Sequence, residues 1–416
     1  MLVTRTLHKS IIQRRQAPRI GPYFAPSRLL ILLLAMGIGQ MAPAAATETQ
    51  LAGYVKSFAI LQDKPDLPGS WHRTAQSQNS VRLMWDVFHK NAALQMHYEL
   101  VPVVASRRTA LDNRTLAGAS NAWRFSDIAP RLSSGSRHDI FQNLDRFNLQ
   151  LSMPEGDLTL GRQAITFGAS RIISPTDIFL PFDVRTFNKE YRVGVDGLRF
   201  QRPIGSLGEL DVGYIAGDQA RSVNSSAYVQ VRVNAGGNDM FGVYARFVNQ
   251  TLVGAGVQRA LGELGFWAEA AHVSGDQDYW RASLGVDHAF GENVFGQIEY
   301  HFNGAGTADP EDYAALFTTP AYRSGGIFLL GEHYLMPSLA VTLSALSALN
   351  VAAFINLSDH SAFASLSVQR SLSDNLYADL GIYLFTGDSF NGLTASLGSE
   401  YGSNPSLLFA SLRYYF

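Results

Sequence analysis

From residue 227 to residue 234 the chain alternates without a break: Ala227, Val229, Val231 and Val233 are apolar, and Tyr228, Gln230, Arg232 and Asn234 between them carry polar groups. Successive side chains of a strand leave on opposite faces, so the segment predicts a strand with one apolar and one polar side; helical spacing would scatter both sets. The pattern recurs where Phe147, Leu149 and Leu151 interleave with Arg146, Asn148, Gln150 and Ser152, and where Leu210, Val212 and Tyr214 flank Asp211 and Gly213. Further strands are predicted near residues 51–59, 81–88, 94–103, 241–248, 252–259, 266–273, 280–289, 294–302, 326–333, 339–348, 362–369, 377–385 and 407–416. Residues 63–79, with Pro65, Pro68 and Gly69, read as a loop.

The connections predict how these strands are joined. Short turns are marked by Pro154-Glu155-Gly156-Asp157, Gly262-Glu263-Leu264-Gly265, Gly291-Glu292-Asn293, Met336-Pro337-Ser338 and Ser373-Asp374-Asn375. Longer irregular stretches lie near residues 105–140, 168–191, 303–322 and 387–404. Short turns at one end and long loops at the other are the signature of a transmembrane antiparallel up-and-down β-barrel, here all-β and of about 16–18 strands. No plug domain precedes it, since alternation starts near Leu51, and no heptad or low-complexity linker interrupts it.

The opening residues do not fit this pattern. Arg5, Lys9, Arg14, Arg15, Arg19 and Arg28 precede an apolar run at residues 29–38, and no acidic residue occurs before Glu48. The run is about ten residues against the roughly 20 of a membrane helix, and Ala44-Ala45-Ala46 supplies small residues for cleavage. Residues 1–46 therefore read as an export signal and residues 47–416 as the barrel. Six of the 33 Lys and Arg lie in that signal and all 35 Asp and Glu lie beyond it, leaving the remainder with a net charge of −8. Such a balance argues against nucleic acid as a partner. Cysteine is absent, which excludes a disulfide framework, a thiolate metal site and a lipidated N-terminal cysteine. The 37 glycines weigh against a helical domain, because each costs about 1 kcal/mol in a helix interior.

At the other end Leu408, Ala410, Leu412, Tyr414 and Phe416 alternate with Phe409, Ser411, Arg413 and Tyr415. This resembles the closing strand of bacterial outer-membrane proteins. The resemblance implies that Leu412, Tyr414 and Phe416 are read by the barrel-assembly machinery.

Candidate pore chemistry concentrates between Gly161 and Arg202, where face parity changes twice. Leu158 and Leu160 share one parity and Ile165 and Phe167 the other, so a bulge or break is expected near Gly161-Arg162 that turns Arg162 inward. A second change, from Val193 and Val195 to Leu198 and Phe200 beside Gly197, points Asp196 and Arg199 into the lumen. With Arg171, Asp177, Asp183, Arg185, Lys189 and Arg192 these form a candidate constriction, whose facing charges would select solutes by charge and orientation. Solvated outer-loop charges are the alternative. Gly161-Arg162-Gln163, Phe167-Gly168, Arg171, Arg185-Thr186-Phe187 and Asp196-Gly197-Leu198-Arg199 resemble the pattern of alginate-export-type outer-membrane barrels. That resemblance implies a channel with an Arg- and Lys-lined lumen. The pieces Asn356-Leu357-Ser358-Asp359 and Ser399-Glu400-Tyr401-Gly402 resemble features of porin-like barrels.

No catalytic or metal-binding pattern is visible. A Gly-x-Ser-x-Gly elbow is missing, the ten His show no metal-ligand spacing, and Asp287 and His288 leave a strand on opposite faces. The expectation is a non-enzymatic porin without cofactor or metal, exported to a Gram-negative outer membrane and embedded in its lipid. It would pass small polar or anionic solutes. Export of an extended anionic polysaccharide and a plugged structural or adhesive barrel are the alternatives, and a homo-oligomer is left open.

Overall fold

The computed structural model describes residues 47–64, 72–107, 123–126, 128, 131–179, 190–392 and 396–416. Its strands are β1 (Glu48–Gln62), β2 (Thr74–His89), β3 (Ala92–Ala105), β4 (Arg131–Ser134), β5 (His138–Met153), β6 (Gly156–Gln163) and β7 (Val195–Ile204). They continue as β8 (Gly208–Ile215), β9 (Ser226–Ala235), β10 (Asn238–Phe247), β11 (Gln250–Leu261), β12 (Leu264–Gly275) and β13 (Tyr279–Phe290). The last are β14 (Val294–Asn303), β15 (His333–Ser344), β16 (Ser347–Asn356), β17 (Ser361–Ser373), β18 (Leu376–Thr386) and β19 (Leu407–Tyr415).

Each wall strand pairs antiparallel with the next, and β1 pairs with β19 from Tyr54↔Tyr415 to Gln62↔Leu407, so the sheet closes on itself. Closure leaves no unpaired edge, the condition for a sheet to cross a bilayer. Eighteen of the nineteen strands form the wall; β4 is a short addition along β5, on the side that β3 does not occupy. No helix among the described residues is long and apolar enough to cross a membrane.

The two barrel faces follow the alternation. Along β19 and the residue after it, Leu408, Leu412, Tyr414 and Phe416 are exposed outward while Phe409 and Ser411 are buried inward. Leu366 and Val368 on β17, Leu380 and Leu384 on β18, and Val229, Val231 and Val233 on β9 extend the outward apolar band. Strands end at one side in turns of two or three residues, such as 90–91, 236–237 and 374–375, and at the other mostly in long connections such as 164–194, 304–332 and 387–406. Phe416 finishes the seam by exchanging backbone hydrogen bonds with Gly53 at 2.9 and 3.0 Å.

Several expectations are corrected. Met336-Pro337-Ser338 is not a turn: β15 runs through it, and its ladder to β16 skips Met336 and Pro337, as a residue without an N–H requires. Residues 326–332 are loop rather than strand, and the real turn is at 345–346. The segment 74–79, expected as loop, is the start of β2, whose Gln78 and Ser80 are buried inward. The β6–β7 register is unbroken from Asp157↔Gln201 to Gln163↔Val195, so there is no bulge at Gly161 or Gly197; of the bulge or break expected at Gly161-Arg162 the break occurs, one residue later, and Arg162 and Asp196 keep the outward face of Leu160 and Leu198 instead of turning inward. The first parity change arises because the chain leaves the sheet after Gln163; the second because Val195 is an apolar residue on the inner face, buried under loop side chains. A bulge does occur nearby on β5, where the register with β3 shifts between His97 and Tyr98 and Asp145 is the extra residue.

Candidate functional site

After Gln163 the chain turns into the barrel, where residues 164–179 and 190–194, the described parts of the connection to β7, lie against the inner wall. Its first half docks on the β12–β14 wall through two buried carboxylates. Glu269 accepts from the backbone N–H groups of Ala169 (2.7 Å), Ser170 (2.8 Å) and Thr176 (2.9 Å), and from the hydroxyls of Ser174 (2.6 Å) and Thr176 (2.7 Å). Glu299 accepts from the N–H groups of Arg171 (3.1 Å), Ile172 (3.2 Å) and Ile173 (2.8 Å), and from the Trp267 indole at 2.7 Å. Ser283 returns a hydrogen bond to the Ile173 carbonyl at 2.7 Å, and Gln258 donates to that of Ala169. A loop backbone brought into a barrel must have its N–H groups satisfied, and a buried carboxylate must have donors. Here each requirement answers the other.

Apolar packing completes the docking. Ile165, Phe167, Ile178 and Phe179 of the loop are buried with Tyr228, Phe247 and Trp123; Phe167 meets Tyr228 at 4.8 Å and Phe179 meets Trp123 edge-on at 5.3 Å between ring centroids. Gly168 has φ +115°, and a Cβ there would run into Ser174, so glycine is required where the clamp begins.

The last part of the loop reaches the wall at the β1–β19 seam. Glu190 pairs with Lys56 on β1 (2.9 Å) and Arg413 on β19 (3.6 Å), and accepts from the Tyr415 hydroxyl. Burial alone would raise the Glu190 carboxyl; the hydrogen bonds from Tyr415 and Lys56 and the charge of Arg413 outweigh it and hold the group below the ordinary glutamate range. Tyr191 stacks on Tyr54 at 6.0 Å, and the Arg82 guanidinium lies 4.2 Å from the Tyr191 ring centroid. The Arg192 carbonyl accepts from Arg146 at 2.8 Å, and the Gly194 N–H donates to Asp145 at 2.8 Å. Asp145, the bulged residue of β5, also pairs with Arg82 and, at 2.9 Å, with Arg146.

The sequence-predicted residues separate into groups. Arg171 pairs with Asp287 and lies 4.7 Å from the Trp267 ring centroid; Arg192 pairs with Asp177. Their side chains stay 42% and 31% exposed, so both still present charge to the lumen. Arg199 faces inward, bound bidentately to Asp211, which also accepts from the Tyr228 hydroxyl at 2.9 Å. Arg162 and Asp196 pair with each other at 2.7 and 2.9 Å across the β6–β7 ladder, with the Arg162 side chain only 6% exposed. Asp183, Arg185 and Lys189 lie outside the described residues. Lys56, Arg82, Asp145, Arg146, Arg413, Glu269 and Glu299 take part without having been singled out. The two glutamates are bound mainly by backbone N–H groups, which leave no side-chain motif to find.

At the outer mouth, residues 304–332 carry α1 (Tyr313–Leu316) and α2 (Pro320–Ser324). The two porin-like sequence pieces meet here: Asn356 donates to Glu400 at 3.0 Å, and the Glu400 N–H donates to Asp359 at 2.7 Å. Tyr313 joins them through Asp359 at 2.8 Å.

A closed wall with an apolar outside, and a long loop folded into a charged lumen, together define the architecture of an outer-membrane porin. Among solved structures the chain is similar to OccAB4 of Acinetobacter baumannii, with a TM-score of 0.55 and 9% identity over 90% of this chain and 100% of that one. It is also similar to OccK8 (OprE) of Pseudomonas aeruginosa, with a TM-score of 0.53 and 10% identity over 89% and 98% of the two chains. OprD of Pseudomonas aeruginosa gives 0.52 and 10% over 89% and 95%. At such identities the likeness is one of fold, and it does not specifically support the alginate-export-type resemblance. No family model matches the chain, and no curated protein matches it.

Proposed function

We propose that this chain is a Gram-negative outer-membrane porin for passive diffusion of small polar or anionic solutes, with the loop 164–194 as its constriction. The observation that carries this reading is the anchoring of that loop to well-separated parts of the wall, by Glu269 and Glu299 on β12 and β14 and by Lys56 and Arg413 on β1 and β19. A loop anchored at separate points of a barrel's inner wall narrows the lumen. Arg171 and Arg192, with Glu190, are the charges of the described loop most exposed to passing solutes. Residues 1–46 act as the export signal, the strand ending in Leu412, Tyr414 and Phe416 is read by the assembly machinery, and no catalytic step is involved.

Polysaccharide export is the weaker reading. A long basic lumen would favour an extended anionic chain, whereas the described arginines at the motif positions are paired: Arg162 with Asp196, Arg171 with Asp287 and Arg199 with Asp211. Swelling of liposomes containing the refolded barrel, in neutral sugars of increasing size, tests the proposal. Rapid entry of monosaccharides with a steep fall toward tri- and tetrasaccharides is expected; no entry at any size would favour a plugged barrel, and entry independent of size would favour an export channel.

A further inference from the structure

The barrel wall is not equally tall around its circumference. β6 and β8 have eight residues and β7 ten, against fourteen to sixteen for β1, β2, β3 and β5. A strand tilted by about 40° advances roughly 2.6 Å per residue along the barrel axis, so eight residues cover roughly 20 Å of an apolar band about 25 Å tall. β5 continues past its pairing with Arg162, and its free side from Asp139 to Phe141 is taken up by β4.

The Arg162–Asp196 pair sits at the upper limit of this short wall. By alternation these residues share a face with Leu160 and Leu198, which are exposed on the outside of the barrel at 57% and 44%. A charged pair on that face is nevertheless buried, because residues 123–126 lie over it. Arg162 donates to the Ser126 carbonyl at 2.7 Å, and the Phe125 N–H donates to Asp196 at 3.0 Å. The Trp123 carbonyl accepts from the Asp196 N–H at 3.0 Å while the Trp123 ring is buried in the core, and the Phe125 carbonyl accepts from Gln219 at 3.0 Å. The segment thus bridges the top of β7 with one aromatic inside. Arg124 is likewise buried, donating to the Gly194 carbonyl and to Asn143 at 2.9 Å each, whereas Phe125 is 52% exposed, as are Leu132 on β4 and Val223 in the adjoining loop at 54% each.

We propose that Phe125 and Leu132, with Val223, complete the lipid-facing wall above β6–β8 and lie among the acyl chains of the outer leaflet. The cover shields the Arg162–Asp196 pair from lipid and continues the apolar band of Leu160, Leu198 and Tyr214, where the strands alone are too short. This rests on the outer-membrane reading, and the test separates the two. The chain has no cysteine, so single variants Phe125→Cys, Leu132→Cys and Val223→Cys can each carry one fluorophore. Leu366→Cys, on the outward face of β17, and Glu311→Cys, exposed in the 304–332 connection, serve as references. Each full-length labelled barrel is reconstituted, and quenching by acyl-chain nitroxide lipids is compared with quenching by aqueous iodide. The three test positions are expected to follow Leu366→Cys, with lipid quenching several-fold above that of Glu311→Cys. If they follow Glu311→Cys while Leu366→Cys remains lipid-quenched, the barrel spans the membrane but this segment faces water and the proposal is overturned. If Leu366→Cys is itself quenched by iodide, the membrane reading fails and the proposal with it.

Discussion

Two guanidinium groups of similar sequence context face different surroundings. Arg171 is paired with Asp287 but remains substantially exposed in the lumen, whereas Arg162 is enclosed with Asp196 beneath residues 123–126. Arg171→Gln should therefore move the reversal potential under a salt gradient toward cation preference, since it leaves Asp287 unneutralised beside the pore. Arg162→Gln should leave the reversal potential where it is and lower stability, by about 3–5 kcal/mol if it behaves as a broken buried pair, read from the denaturation midpoint. Equal selectivity shifts from the two variants would contradict this placement. The sequence marked both arginines, because charges in a segment of changing parity stand out. It could not rank them. Which medium an arginine faces depends on residues 123–126, far away in the chain, and the bulge or break read from parity is the chain leaving the sheet after Gln163, too late to turn Arg162 inward.

The first half of the in-folded connection between β6 and β7 is held chiefly by the Glu269 and Glu299 carboxylates accepting from its backbone. Glutamine in place of Glu269 or Glu299 keeps one acceptor oxygen but aims an NH2 group at N–H groups that need acceptors. Hydrogen bonds to charged groups contribute about 1.5–3 kcal/mol each, so the double variant Glu269→Gln/Glu299→Gln should release the docked half of the loop. The expected result is a barrel of unchanged β content by circular dichroism, with larger and noisier open-channel currents. Gly168→Ala should act in the same direction, because its Cβ would collide with Ser174 at the start of the clamp. Quiet currents of wild-type size from both variants would remove the clamp from the account. At this scale the strands were legible and their ends less so. Alternation located β9, β12 and β17 because lipid outside and polar groups inside impose a period of two, but Pro337 suggested a turn where β15 accommodates it by omitting ladder pairs. The Glu269 clamp was hidden in the Ala-rich β12, where a glutamate looks like any inward polar residue.

For the molecule as a whole, closure and contents make separate demands. Closure depends on β19, whose outward Leu412, Tyr414 and Phe416 meet lipid while Phe416 bonds through its backbone to Gly53. Phe416→Ser should leave the pore's charges untouched yet reduce the yield of inserted, protease-resistant barrel in cells, with residual barrels conducting normally; a normal yield would remove Phe416 from assembly. The closed barrel was legible from alternation, the pattern of connections and this final strand, since all three follow from a sheet with different solvents on its two faces. The contents were legible only as a region. The central claim is an open pore narrowed by a clamped loop, and the most direct test is single-channel conductance of the refolded chain in a planar bilayer, beside the Glu269→Gln/Glu299→Gln variant. Stable steps from the native chain, and larger, fluctuating steps from the variant, are the predicted result. A folded, inserted native barrel that carries no current, or a variant indistinguishable from it, would contradict the account.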